Sequence, residues 1–237
     1  MAEGGADLDF FMKQLLKTGI DNYWPKVTYL IVVIKNGDGE VIWNNRYQTS
    51  DSHGHTEIQM LNDPKFQDEL TNGKVDKAKK VDKAEKVDKD EKVDKAGKVN
   101  IILTSNYSPC WECANRLTEF YEDNKGLIRE FVIRFSRPYR ITRKDDKLNR
   151  NGLRYLHKAE ITLKAMTEEY WLEVITIEES NFDKVMRSTF DLNPELVRKR
   201  DCTARDVLEK VLSQDLEPIY EDDRGKLFKE KLFRIDD

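Results

Sequence analysis

Between Phe131 and Met166 the chain reads strand, helix, strand. An apolar run covers Phe131 to Phe135, a short helical pattern with Leu153 and Leu156 covers Asn149 to Lys158, and Ile161 to Met166 follows. A helical crossover brings the second strand into the sheet in the same direction as the first, so this stretch predicts a parallel pair. Upstream, Val27 to Lys35 is β-branched and aromatic, and Gly37-Asp38-Gly39 turns it into a hairpin partner over Glu40 to Gln48. Val99 to Thr104 reads as a short buried strand. Helices are expected over Leu8 to Lys17, Thr56 to Leu61 and Trp111 to Tyr121, then within Trp171 to Met186, Ala204 to Leu212 and Phe228 to Phe233. Strands separated by helices in this order predict an α/β sandwich with a mixed sheet.

The 237 residues suffice for one substantial core, and 38% hydrophobic with 10% aromatic content argues against wholesale disorder. No run approaches ~18 apolar residues, which excludes a helical membrane span. Met1 to Asp9 is acidic and lacks the basic and apolar blocks of a signal peptide, so a cytoplasmic or nuclear, non-secreted protein is expected. Residues 74–98 repeat a six-residue unit beginning Lys-Val-Asp-Lys, with 10 lysines against 7 acids and no aromatic. A valine every six residues makes no helical stripe and no core. The segment is expected to be a solvent-exposed insertion within a single domain spanning 1–237. Net charge is −4, yet Arg129 to Lys158 holds 10 basic and 3 acidic residues, and Ala159 to the C-terminus holds 13 basic and 20 acidic. One basic segment thus sits in an acidic chain.

Two short motifs carry the chemistry. Cys110 and Cys113, three apart at a helix start after Pro109, can direct both sulfurs to one ion, and the helix N-terminus favours thiolate. His55 is the available third ligand for zinc, leaving a fourth position open for water. Glu57, two residues beyond His55, is placed to take a proton from that water and return it to a ring nitrogen of a substrate. The combination of H-x-E with P-C-x-x-C is the signature of zinc nucleobase deaminases. A Cys-x-x-Cys pair alone also fits a redox couple or a structural zinc. His53 would be the fourth ligand of a structural site, and a redox pair gives Glu57 no role.

With those motifs the sequence resembles the AID/APOBEC family of zinc-dependent polynucleotide cytosine deaminases. The likeness runs from Tyr29 to about Tyr220, apart from the repeat, for which no family counterpart is expected. It includes Thr28-Tyr29-Leu30, His55-x-Glu57, Ser108-Pro109-Cys110-x-x-Cys113, Phe131 to Phe135, Gly152-Leu153-Arg154-x-Leu156-His157-Lys158-Ala159, and Ile161 to Thr167 with Tyr170 and Trp171. The resemblance implies a cytidine deaminase-like three-layer α/β/α sandwich, a five-stranded mixed sheet flanked by about six helices, one Zn2+, and deamination of cytosine to uracil in single-stranded DNA. Family roles include restriction of foreign DNA and diversification of receptor genes. Tyr107 stands where the family usually has tryptophan, and Ser136-Arg137-Pro138-Tyr139 matches a loop that usually carries an aromatic.

For the substrate strand, the basic run Arg134, Arg137, Arg140, Arg143 and Lys144 can neutralise phosphates while Tyr139 stacks on a base. The alternative is solvent-facing loop charge. Tyr23 and Trp24 resemble a second wall of the groove; Trp24 could equally be a buried aromatic sealing the sheet edge. Thr28, Asn45 (or its neighbour Asn44), Tyr107 and Ser108 complete the candidate substrate residues. His157 is expected to be a partly buried packing residue, Trp171 core, and Cys202 a bystander. Three other functions fit the same residues: an inactive or weak relative that binds nucleic acid, a deaminase of RNA or free cytidine, and a structural zinc protein.

Overall fold

A computed structural model describes residues 8–49, 54–72, 97–141, 146–175 and 181–217. The repeat at 74–96, His53, Arg143, Lys144 and the helix expected at 228–233 lie outside the described residues.

The elements run α1 (Leu8–Lys17), β1 (Tyr29–Lys35), β2 (Val41–Gln48), α2 (Thr56–Leu61), α3 (Pro64–Asn72), β3 (Val99–Tyr107), α4 (Trp111–Asn124), β4 (Ile128–Arg137), α5 (Lys147–Lys158), β5 (Thr162–Ala165), α6 (Glu168–Ile175), α7 (Phe182–Phe190) and α8 (Pro194–Leu212). The sheet order is β2-β1-β3-β4-β5. β1 is antiparallel to β2 and β3, whereas β3, β4 and β5 are mutually parallel, as the crossover predicts. The mixed five-stranded sheet and its helical layers are those of a cytidine deaminase-like α/β/α sandwich.

Successive side chains of a strand leave opposite faces, and β1 feeds two cores. Leu30, Val32 and Ile34 of β1, Ile101 and Leu103 of β3, and Phe131, Ile133 and Phe135 of β4 pack against Met60, Phe66, Leu117 and Leu153 of α2, α3, α4 and α5. On the other face, Tyr29 and Ile31 join Phe11, Leu15, Trp171, Phe182 and Val197 from α1, α6, α7 and α8. The late turns of α8 return to the first core through Leu208 and Val211.

Eight helices are described, against an expected six or so. α3 carries only Phe66 and Leu70 as buried apolar anchors, too sparse a stripe to announce itself, but Asp63 accepts from Lys65 N at its start (2.9 Å). The stretch read as Trp171 to Met186 is two helices. Asn181 caps α7 by accepting from Lys184 N, and Asp191, left-handed at φ 49°, ends it. α8 begins ten residues before the expected Ala204, capped by Asn193 with Pro194 in its first turn. His157 is exposed on α5 rather than packed. Trp171 is fully buried and donates Nε1–H to Asp201 at 2.8 Å. Among the described residues no helix is long and apolar enough to cross a membrane.

Candidate metal centre

β3 and β4 deliver the cysteine turn. Beyond the last strand pair, Ser108 N donates to Arg137 O at 2.9 Å, and Ser108 Oγ accepts from Tyr139 N at 2.8 Å. The chain then turns at Cys110, which sits in extended conformation as the N-cap of α4 and whose carbonyl accepts from Ala114 N at 2.8 Å. His55 occupies the same position on α2, with its carbonyl accepting from Gln59 N at 3.0 Å. Neither side chain makes a cap hydrogen bond to its own helix. An N-cap side chain ordinarily accepts from the first-turn amides; here both are turned to each other instead. Gln59 Nε2 donates to Gln48 O and Gly54 O, both at 3.0 Å, tying the end of β2 and the residue before His55 to α2.

His55 Nδ1 lies 3.1 Å from Cys113 Sγ and 3.3 Å from Cys110 Sγ, and the three ligand atoms fall within 4.8 Å of one another. A tetrahedral ion with Zn–S of ~2.3 Å and Zn–N of ~2.0 Å needs N···S edges of about 3.5 Å. The cluster fits with adjustments of a few tenths of an ångström. Its electrostatics also call for a cation. A hydrogen bond from the Cys113 thiol, aided by His55, holds the Cys110 thiol well below the usual thiol range. The bond to Cys110 and burial push the Cys113 thiol up, with the Glu57 carboxylate against its sulfur adding to the shift. Burial and the Cys110 charge push Glu57 up as well, and His55 is raised chiefly by its hydrogen bond to Cys110. Two sulfurs and a carboxylate that is only 6% exposed share one imidazole, an electron-rich pocket that a dication would balance. Thr56 Oγ1 donates to Glu57 Oε2 at 3.1 Å and orients the carboxylate.

Beside this cluster stands a wall of aromatic and basic residues. Tyr107 and Tyr139 meet edge to face at 5.9 Å, and Tyr107 OH donates to Pro25 O at 3.1 Å. Burial, with the neighbouring Tyr139, pushes the Tyr107 hydroxyl up to about 12. Trp24 is 51% exposed and does not seal a sheet edge; its ring faces the Arg137 guanidinium at 4.9 Å. Arg137, half-buried against Gly19, has no anionic side-chain partner among the described residues, and burial lowers its pKa. Arg140, left-handed at φ 43°, lies over the Tyr139 ring at 5.4 Å. Tyr23 OH donates to Gln14 Oε1, tying the same loop to α1.

Arg134 sits elsewhere, whereas Asn45 and Thr28 are engaged by neighbouring groups of the protein. Arg134 shares the face of Val132 and Ser136, which packs on α1 and α6, opposite the cysteine helix. It is 7% exposed, paired to Glu173 at 2.7 Å and covered by Tyr170 at 4.0 Å, so it belongs to the inner packing and not to the wall. Asn45 is on the metal-side face of β2 but donates to Asp63 Oδ2 at 3.2 Å, beside Tyr47 OH on the same oxygen at 2.6 Å. Thr28 closes the base of the β1–β2 hairpin against Thr49. Sequence reading missed the supports: Asn106, which accepts from Tyr29 N and donates to Val27 O, and Asn149, which accepts from Trp111 N. Polar residues inside a strand and at a helix start were the only signal for either.

A family described as invertebrate AID/APOBEC deaminase matches residues 74–218, more than half of the chain. The chain belongs to this family. The match takes in both cysteines and the Gly152–Ala159 stretch. It starts at the first residue of the lysine-rich repeat, so the repeat, expected to have no family counterpart, falls within the matched range, whereas His55 and Glu57 precede it. No curated protein matches the sequence. Fold, metal-capable triad and AID/APOBEC membership together support a deaminase-type hydrolase.

Proposed function

We propose that this AID/APOBEC-family chain hydrolyses cytosine to uracil in single-stranded DNA, using zinc held by His55, Cys110 and Cys113, in the cytoplasm or nucleus. The observation that carries the reading is the buried Glu57 carboxylate lying against the sulfur of a three-ligand cluster. A structural site would have no use for a desolvated acid there. Zinc, when bound, supplies a Lewis acid that makes water nucleophilic at neutral pH. Glu57, its basicity raised by burial, takes a proton from the attacking water and passes it to the ring nitrogen N3. The water oxygen bonds to C4, the C4–N4 bond breaks with proton delivery to the amine, and cytosine plus water become uracil plus ammonia.

The strand's path is proposed along Trp24, Arg137, Tyr107, Tyr139 and Arg140. Arg137, without an anionic partner among the described residues, suits a phosphate, and the exposed aromatic suits an unpaired base. Asn45 and Thr28 support the floor through the hairpin. A single-cytosine DNA oligonucleotide, its RNA counterpart and free cytidine are incubated with the metal-loaded protein and uracil is counted. The DNA strand is expected to react fastest, and Glu57→Gln to lower that rate by about 100-fold or more with metal content unchanged. Metal-loaded wild type that leaves the DNA intact, or that prefers cytidine, overturns the proposal.

A further inference from the structure

An N-cap whose side chain is committed to a metal leaves its helix without a local cap. α4 has that difficulty, because Cys110 makes no cap bond. The first helical amide, Trp111 N, lies beyond the reach of an N-cap side chain, which serves the second and third amides, and it is satisfied from another helix: Asn149 Oδ1 of α5 accepts from it at 3.0 Å. The same amide group donates Nδ2–H to Arg140 O at 3.3 Å. Trp111 N–H can only donate and Arg140 O can only accept, so the orientation of the Asn149 amide is fixed. Arg140 is left-handed at φ 43°, a conformation unfavourable for a side-chain-bearing residue, and it needs such an anchor. α4 and α5 are in close contact here: a Cβ placed on Gly152 would come within 3.2 Å of Trp111 Cα.

We infer that Asn149 is a positioning residue that locks the cysteine turn and the Tyr139–Arg140 loop to each other, coupling metal affinity to the shape of the substrate wall. The inference rests on the metal reading of His55, Cys110 and Cys113. Asparagine is the residue that fits: aspartate keeps the acceptor and loses the donor, alanine loses both, and glutamine is one methylene too long.

Cobalt(II) is the probe, with affinity measured by chelator competition, ligand geometry by its visible absorption, and loop order by hydrogen exchange at the Tyr139 amide. Asn149→Ala should weaken cobalt binding about 10-fold, shift the absorption and speed Tyr139 exchange. Asn149→Asp should keep cobalt affinity within about twofold while still speeding exchange, because only the donor is lost. A merely structural asparagine would lower the unfolding midpoint in both variants and leave affinity and spectrum alone; that result overturns the inference. If Asn149→Ala does not fold, the aspartate variant decides: intact affinity with a loosened loop supports the coupling, and lost affinity or an unchanged loop refutes it. Wild-type protein that binds no cobalt overturns the metal reading itself, whereas wild type that binds and an alanine variant that binds equally well overturn only the role of Asn149.

Discussion

The contact between Gly152 and the cysteine helix makes a prediction in which two effects of opposite sign compete. A Cβ on Gly152 would lie 3.0 Å from Ala114 Cβ and 3.2 Å from Trp111 Cα. Carbon atoms prefer about 3.5–4.0 Å, so α4 and α5 must separate by roughly half an ångström, and the Trp111 contact is backbone that cannot rotate away. Gly→Ala inside a helix gains about 1 kcal/mol of propensity, while overpacking costs about 1–3 kcal/mol. Gly152→Ala is therefore expected to be about 1 kcal/mol less stable than wild type in urea unfolding. The turn displaced carries Cys110 and Cys113, so zinc affinity should fall several-fold in the same variant. Ala114→Gly removes the nearer contact but not the backbone one. The double variant should thus recover part of the loss, with a coupling of about 1 kcal/mol in a double-mutant cycle. A Gly152→Ala protein that is about 1 kcal/mol more stable than wild type, with unchanged zinc affinity, would show propensity acting unopposed and refute the close packing.

Glu217 receives Arg150 through two bonds of 2.6 and 2.7 Å and Arg154 at 2.9 Å, and these guanidinium groups hold its carboxyl down to about 2. A folded-state value below the unfolded one stabilises above the ordinary carboxylate range and is lost as pH falls from ~4.5 toward 2. With the side chain 31% exposed, screening leaves about 1 kcal/mol at pH 7, so the urea-midpoint gap between wild type and Glu217→Gln should be roughly halved or less by pH 3; a gap that widens on acidification is inconsistent with this pairing. Asn106, fully buried, answers Tyr29 N at 2.9 Å and Val27 O at 3.1 Å; Asn106→Ala should cost about 2–4 kcal/mol, and a loss below about 1 would mean that other groups satisfy both. Arg134→Met should leave salt-dependent oligonucleotide binding intact while altering stability, and Arg137→Gln should weaken binding. The reverse pattern in a filter or fluorescence assay would return Arg134 to the substrate path.

The ligand types, their helix-start spacing and the parallel crossover could be read from the chain itself, because metal chemistry restricts ligands to a few residue types and a crossover admits one direction of pairing. The hairpin was equally legible, since Gly39 supplies the left-handed turn at φ 87°. Other features needed three dimensions. Arg134 and Arg137 stand three apart in one basic run, yet strand alternation sends Arg134 to the α6 face, and the last residue of β4 brings Arg137 to Trp24. In a strand buried on both sides, alternation shows that neighbours part but not which face holds the site. α3 was missed because two apolar residues in nine gain their stability only once Met60, Trp43 and Phe120 are around them. The Asn149 and Asn106 amides were silent for a related reason. A side-chain cap supplied by a different element leaves no periodicity and no spacing in the sequence; only the packing of α5 on α4 and of β3 beside β1 gives each amide its partners.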